Sequence, residues 1–286
     1  MQGAAPKGGS LSLCERTCFM TLEELEQGIR ELEASFPGKT QVDFKVLDAG
    51  EDAPSIQQNA EDQVVSASTI KPAVLACLLD TLDEDGGSLE DLEEVTRDVI
   101  LDDSLVFDYG PRKASLYEIA WWMIVNSDNT AANVLMTKLS FDKINRWCEA
   151  HGLHRTRAGR LMLDYKAIEE GRNNYISPKD FERLIVDNWQ RAKAGDKKAK
   201  IFLSMLHGNR DYDALLRYIY EDPECWHKSG DLDTVAHDAG IFQYQGKTWF
   251  LGVFTSDYDM TKTDYEKGRA HIGRISRLVF DYMKEL

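Results

Sequence analysis

Cations are the first shortage. The chain carries 34 lysines and arginines against 49 aspartates and glutamates, a formal net charge of −15 over 286 residues. Gripping a polyanion takes clustered Lys and Arg, so nucleic acid is not expected as a partner. Cysteine is sparse too. The five present, Cys14, Cys18, Cys77, Cys148 and Cys225, are odd in number and show no C-x-x-C spacing, which argues against a disulfide framework. Cys77 and Cys148 fall in apolar helical patterns and read as core. Cys14 and Cys18 lack the further ligands a zinc site needs. The six histidines show neither H-E-x-x-H nor another paired spacing, so no metal and no other cofactor is expected. No apolar run approaches the ~18 residues of a membrane span. Leu11-Ser12-Leu13-Cys14 is too short, and too soon followed by Glu15 and Arg16, for an export signal. As written the chain reads as cytoplasmic, with residues 1–20 as a disordered tail and Met20 as an alternative start. Internal repeats and low-complexity tracts are absent.

What remains is 43% hydrophobic, enough for one large domain or two closely packed lobes. Thr21-Leu22-Glu23-Glu24 is a capping box, and Leu22, Leu25, Ile29, Leu32 and Phe36 keep helical spacing up to Pro37-Gly38. Gln41 to Asp48 alternates as a strand, and Gln63 to Val65 is a shorter one. Helices are expected after Ser68, at 115–126, 130–139, 141–150, 178–194 and 198–206, and at Asp211 to Tyr220. Asp83 to Glu94 reads as a solvated loop or short helix. His151 to Ile176 is a long loop with a short turn at Lys166 to Glu170, and loops of that length are often functional. Cys225 to Ser229, Ala236 to Tyr244 and Thr248 to Thr255 read as strands with a turn at Gln245-Gly246, and a final amphipathic helix carries Ile272, Ile275, Leu278, Val279 and Tyr282. The expected fold is α+β. An antiparallel sheet lobe with flanking terminal helices is built from both chain ends (about 21–66 and 221–286), and an all-α lobe (about 67–220) is inserted in a single domain, 21–286.

Three short stretches carry chemistry. In Ser68-Thr69-Ile70-Lys71-Pro72 a hydroxyl and an amine stand three residues apart at the mouth of a buried helix, within mutual reach. Pro72 keeps the helix from starting much before Thr69, which puts Ser68 among the orphan N–H groups of the N-terminus. A chain this size offers about one such pair by chance, and Ser140-Phe141-Asp142-Lys143 is a second, better read as a cap. In Val125-Asn126-Ser127-Asp128-Asn129-Thr130 the residues are those of a connector between helices, or else Ser127 and Asn129 face a shared cleft. In Trp226-His227-Lys228-Ser229-Gly230-Asp231 a lysine lies on a strand and Gly230 permits close approach of another backbone. Each is weak alone. All three in this order, on helix, loop and strand, fall below about one chance in a hundred.

S-x-x-K, S-D-N and K-S-G together are the trio of class A β-lactamases and penicillin-binding proteins. From about Leu22 to the C-terminus the chain resembles the penicillin-recognising serine hydrolases, and among them class A β-lactamases. Ser127-Asp128-Asn129-Thr130-Ala131-Ala132-Asn133 is especially similar to that pattern. The resemblance implies a sheet lobe joined to an all-α lobe, a site of catalytic Ser68, Lys71, Ser127 and Lys228, and substrate contacts from Asn129, Ser229, Gly230 and Asp231. Ser68 would be acylated and Lys71 would be the base, its pKa lowered by Lys228. Ser127 would pass a proton to the leaving nitrogen, and the backbone N–H groups of Ser68 and Asp231 would form the oxyanion hole. Lys228 and Ser229 would hold a substrate carboxylate in a locally basic cleft, and Asn129 the side-chain amide.

One departure stands out. The family's loop glutamate, in a Glu-x-x-Leu-Asn setting, has no counterpart between Arg160 and Pro178. Asp164, Glu169 and Glu170 are the acids available, Asp164 first, and each also reads as a plain solvated loop acid. Acylation is therefore expected to survive, and fast deacylation is in doubt. The expected function is a β-lactamase-like serine hydrolase of a small β-lactam, amide or peptide bearing a carboxylate. Its alternatives are a D,D-peptidase, amidase or esterase of the same mechanism, and a non-hydrolytic penicillin-binding sensor. Members of the family are usually exported, in tension with the missing signal, and the oligomeric state is open.

Overall fold

Both halves of the sequence feed one sheet. A computed structural model describes residues 20–286 apart from 51, 83 and 85. The tail, its two cysteines and the expected lack of an export signal lie outside the described residues. In chain order, α1 (Leu22–Ser35) is followed by β1 (Lys39–Val46), β2 (Ser55–Gln58) and β3 (Val64–Val65). A 3-10 turn at Ala67–Ile70 leads into α2 (Lys71–Leu82). Then come β4 (Leu92–Val95), β5 (Arg112–Ser115), α3 (Leu116–Val125), α4 (Asn129–Leu139), α5 (Phe141–Ala150) and α6 (Tyr165–Glu169). They are followed by β6 (Tyr175–Ile176), α7 (Pro178–Lys193) and α8 (Lys197–His207). The chain closes with β7 (Glu224–Leu232), β8 (Val235–Tyr244), β9 (Lys247–Ser256) and α9 (Tyr265–Glu285). The fold is α+β.

The main sheet runs β2-β1-β9-β8-β7, every pair antiparallel. Lys39 lies opposite Ser256 and Val46 opposite Trp249. Gln245 and Gly246 close the β8–β9 hairpin with positive φ at both residues (48° and 81°), the geometry a two-residue turn needs to follow strand twist. Both faces of the sheet are covered, so β8 and β9 are buried along most of their length rather than alternating. Ile29 of α1 and Val279 of α9 pack with Phe44 and Trp249 on one face. Phe181 of α7 packs with Ile241, Phe250 and Phe254 on the other, in a core continuous with α2, α4 and α5. The Thr21–Glu24 capping box starts α1, and Ser140 caps α5 by accepting from the Lys143 N–H.

The structure departs from the sequence reading in three places. Leu92–Val95 is a strand paired with β5, in a two-stranded ribbon beside the helices. Val64–Val65 pairs with β6 instead of joining the main sheet, and β2, unforeseen, takes that sheet's edge. Asp211 to Tyr220 forms turns, not a helix, because side chains intercept its N–H groups. Asn209 Oδ1 accepts from the Asp211 N–H, Asp211 Oδ1 from Asp213, and Asp238 Oδ2 from Leu215.

Candidate active site

Ser68 sits on the 3-10 turn, half-buried, directly ahead of α2. The turn is pinned rather than loose. The Ser66 N–H donates to Asn174 O at 2.9 Å, and the Thr69 hydroxyl donates to Ser66 O at 2.5 Å. Ala67 is held at φ 45° and Ser127 at φ 54°. Left-handed backbone costs a non-glycine residue roughly 1–2 kcal/mol, so both serines depend on backbone that the surrounding packing holds in an unfavourable state. Behind the turn, Ala73 to Leu79 is an unbroken buried run that anchors α2.

Lys71, the first residue of α2, is fully buried. Its Nζ donates to Ser127 O at 2.6 Å and Asn129 Oδ1 at 2.8 Å, and lies 3.1 Å from the Ser127 hydroxyl oxygen. Burial pushes its pKa well below the usual lysine value and the Lys228 charge adds to this, against Asp128 and Asp103. Asp128 fixes the partners. Its carboxylate caps α4 by accepting from the Ala131 N–H at 2.7 Å and takes the Ser104 hydroxyl at 2.6 Å, which sets Ser127 and Asn129 on either side. Asn129 is engaged at both ends, since its Nδ2 donates to Asp103 at 2.6 Å.

β7 supplies the third wall as an edge strand. Alternation puts Lys228 and Gly230 on one face and His227, Ser229 and Asp231 on the other. A Cβ at Gly230 would lie 2.6 Å from Ser68 N and 2.9 Å from Thr69 N, so only glycine lets the strand approach the turn this closely. Lys228 is buried, with its Nζ donating to Ser229 O at 2.7 Å. Burial lowers its pKa to about 8, opposed by Asp211, Asp238 and Asp231, with Arg269 adding to burial. Two hollows open here. One of about 310 Å³ is lined by Ser127, Asn209, Arg210, Asp211, Lys228 and Ser229. The other, about 90 Å³, is lined by Ser68, Asn129, Arg160, Met162, Tyr165 and Asp231 among others. Larger hollows of about 550 and 690 Å³ elsewhere touch no residue of the three motifs, so size does not locate this site.

The turn, the connector and the edge strand thus meet in one cleft, and the profile of the beta-lactamase enzyme family matches residues 24–283. The chain belongs to that family. No curated protein matches it. Among solved structures it is similar to PBP-A, at 23% identity and a TM-score of 0.80 over 92% of this chain and 96% of that one. It is also similar to a PBP-A mutant solved as an acyl-enzyme complex with penicillin G, at 24% identity and a TM-score of 0.81 over 93% and 98%. A beta-lactamase from Sphaerobacter thermophilus DSM 20745 aligns at 21% identity, with a TM-score of 0.81 over 93% and 99%. At these identities the likeness establishes the fold.

Within this beta-lactamase-family chain the long loop is firmly fastened. Asn174 Oδ1 accepts from the Gly159 and Arg160 N–H groups at 2.8 and 3.1 Å, and Arg160 Nε donates to Asn173 Oδ1 at 2.8 Å. Asn133 of α4 clamps Met162 at both backbone atoms, accepting from its N–H at 2.6 Å and donating to its carbonyl at 3.2 Å. That clamp escaped sequence reasoning, although Asn133 closes the very run that carried the resemblance. None of the three loop acids lines the hollow at Ser68. Asp164 caps α6 through the Ala167 N–H at 3.0 Å, Glu169 is exposed, and Glu170 pairs with Arg172 on the surface. The residues the loop presents there are Arg160, Met162, Leu163, Tyr165 and Ile168.

The cleft is also less basic than expected. The Ser229 hydroxyl donates to Asp211 Oδ2 at 2.5 Å, and Arg269 of α9 bridges Asp211 and Asp231. Asp211 and Arg269 carry no motif, and only the fold brings them to Ser229 and Asp231.

Proposed function

We propose that the protein is a serine acyl-enzyme of the beta-lactamase type, acylated at Ser68 by β-lactams or related small amides and deacylated slowly. The observation that carries this reading is the buried Lys71 amine, held between Ser127 and Asn129 one helical turn behind a half-buried Ser68. A serine hydroxyl is a weak nucleophile without an adjacent base. A lysine kept neutral by burial is such a base.

In the proposed step Ser68 Oγ attacks the amide carbonyl carbon and its proton passes to Lys71 Nζ. The Ser68 and Asp231 backbone N–H groups receive the developing oxyanion, each worth on the order of 10²–10³ in rate. Collapse breaks the C–N bond while the Ser127 hydroxyl gives its proton to the leaving nitrogen and regains one from Lys71. Lys228 supplies positive potential along the way. Water then hydrolyses the ester, and this half is where the chain is poorly equipped, because the loop brings Met162 rather than a carboxylate to the Ser68 hollow. That observation favours a second reading within the same chemistry, a peptidase or sensor that holds its acyl group. PBP-A, a neighbour in fold, has a mutant captured with penicillin G as an acyl-enzyme.

The test is purified protein with a chromogenic cephalosporin and, in parallel, a fluorescent penicillin. The expected result is one covalent label per chain at Ser68, a stoichiometric burst and slow turnover, all lost in Ser68→Ala. Rapid steady turnover would overturn slow deacylation, and absence of any label would overturn the acyl-enzyme reading.

A further inference from the structure

The hollow beside Ser127 and Lys228 holds a carboxylate of the chain's own. Ser229 has one hydroxyl hydrogen, and it is given to Asp211 Oδ2 at 2.5 Å. Arg269 donates through one terminal nitrogen to Asp211 and through the other to Asp231 at 2.6 Å. Lys228 Nζ is turned to the Ser229 carbonyl and is almost wholly buried. The Ser229 hydroxyl and the Arg269 guanidinium are therefore already spent on Asp211, which lines the hollow. Burial pushes the Asp211 carboxyl up, but the Ser229 hydroxyl and the Arg269 guanidinium outweigh it and hold the group ionised.

We infer that Asp211 is a specificity-determining residue that excludes carboxylate recognition at Ser229, so that the group the substrate places in this hollow is uncharged or a hydrogen-bond donor such as an amide N–H or an ammonium. This rests on the acyl-enzyme reading above and narrows its substrate class. A second carboxylate entering here would have to break the Ser229–Asp211 bond or lie against a like charge, which the short range and partial burial leave poorly screened. A donor instead finds a carboxylate oriented in advance by two partners. Arg210 lines the same hollow from an exposed position and has no ionic partner among the described residues. It is the group that would rescue carboxylate binding, and so the control to run.

The experiment measures acylation of Ser68 by intact mass, using benzylpenicillin and its carboxyl methyl ester on the full chain. The expected result is that the ester acylates at least as fast as the free acid, and that Asp211→Asn raises the acid-to-ester ratio of second-order rate constants tenfold or more. A tenfold preference for the free acid in the unaltered protein overturns the inference, and its loss in Arg210→Ala would assign the carboxylate to Arg210. An unchanged ratio in Asp211→Asn overturns it too. Should that variant fail to fold, the comparison of the two ligands on the unaltered protein decides alone. Labelling of Ser68 by neither ligand overturns the acyl-enzyme reading itself.

Discussion

At the scale of single residues, the site is a contest over two protons. The Lys71 pKa is lowered by burial first and by Lys228 second. Removing the second cause in Lys228→Met lets Lys71 keep its proton to higher pH. The acid limb of the acylation–pH profile should therefore shift upward in that variant, as stopped-flow labelling across pH would show. A limb that stays in place would mean that the like charge does not act on Lys71. Met162 bears on the other half of the proposed reaction. It is clamped to Asn133 and faces the Ser68 hollow. A carboxylate at that position could activate a water near the ester. Met162→Glu is predicted to shorten the acyl-enzyme lifetime by about tenfold or more, read as the decay of the penicilloyl mass. An unchanged lifetime would place the deacylation defect elsewhere. Sequence alone named Ser68, Lys71, Ser127 and Lys228 because motif spacing along a helix, a loop and a strand is local information. It missed Asp211 and Arg269 because their roles arise from contacts across 58 residues of chain.

At the scale of elements, the cleft depends on how closely a strand approaches a turn. The gap between β7 and the 3-10 turn leaves no room for a methyl group at Gly230, and the atoms it would strike are backbone. Gly230→Ala should push the strand off the turn, costing about 1–3 kcal/mol as overpacking does, and should cut acylation far more than a surface change of equal stability cost. Thermal unfolding and labelling rate together test this, and a fall in rate no larger than the fall in stability explains would refute it. Elements with strong local signals were legible: the capping box of α1, the apolar run of α2 and the Gln245-Gly246 turn. Those decided by distant partners were not. The ribbon of β4 and β5 is built from charged residues with little periodicity, and the Asp211 to Tyr220 segment has helical spacing that its own polar side chains override.

At the scale of the whole molecule, one buried acid ties stability to pH. Asp43 on β1 is fully buried with Lys179 Nζ 3.8 Å away and no hydrogen bond to its Oδ2. Burial raises its pKa to about 7, against the pull of Lys179 and with a push from Glu182. Its folded pKa thus lies above its unfolded one, so the folded state binds the extra proton between about pH 4 and 7. Stability from this group is fully present below that window, falls as pH rises through it and is level above. Asp43→Asn should remove the slope, gaining on the order of 1–3 kcal/mol at about pH 8 relative to about pH 5. Denaturant titrations at the two values measure it, and parallel shifts at both would exclude Asp43 as the source. The architecture itself was legible, since strands at both ends around a helical block leave few sheet topologies open. Pairing β1 with β9 has a consequence in time. A ribosome that has translated as far as residue 220 has already incorporated Ser68, Lys71 and Ser127 but not β7, β8 or β9. The wall that meets Ser68 emerges long after it, and its long-range pairings form slowly. Until β7 has emerged and paired, the nascent chain therefore carries Ser68, Lys71 and Ser127 without the strand that walls their cleft.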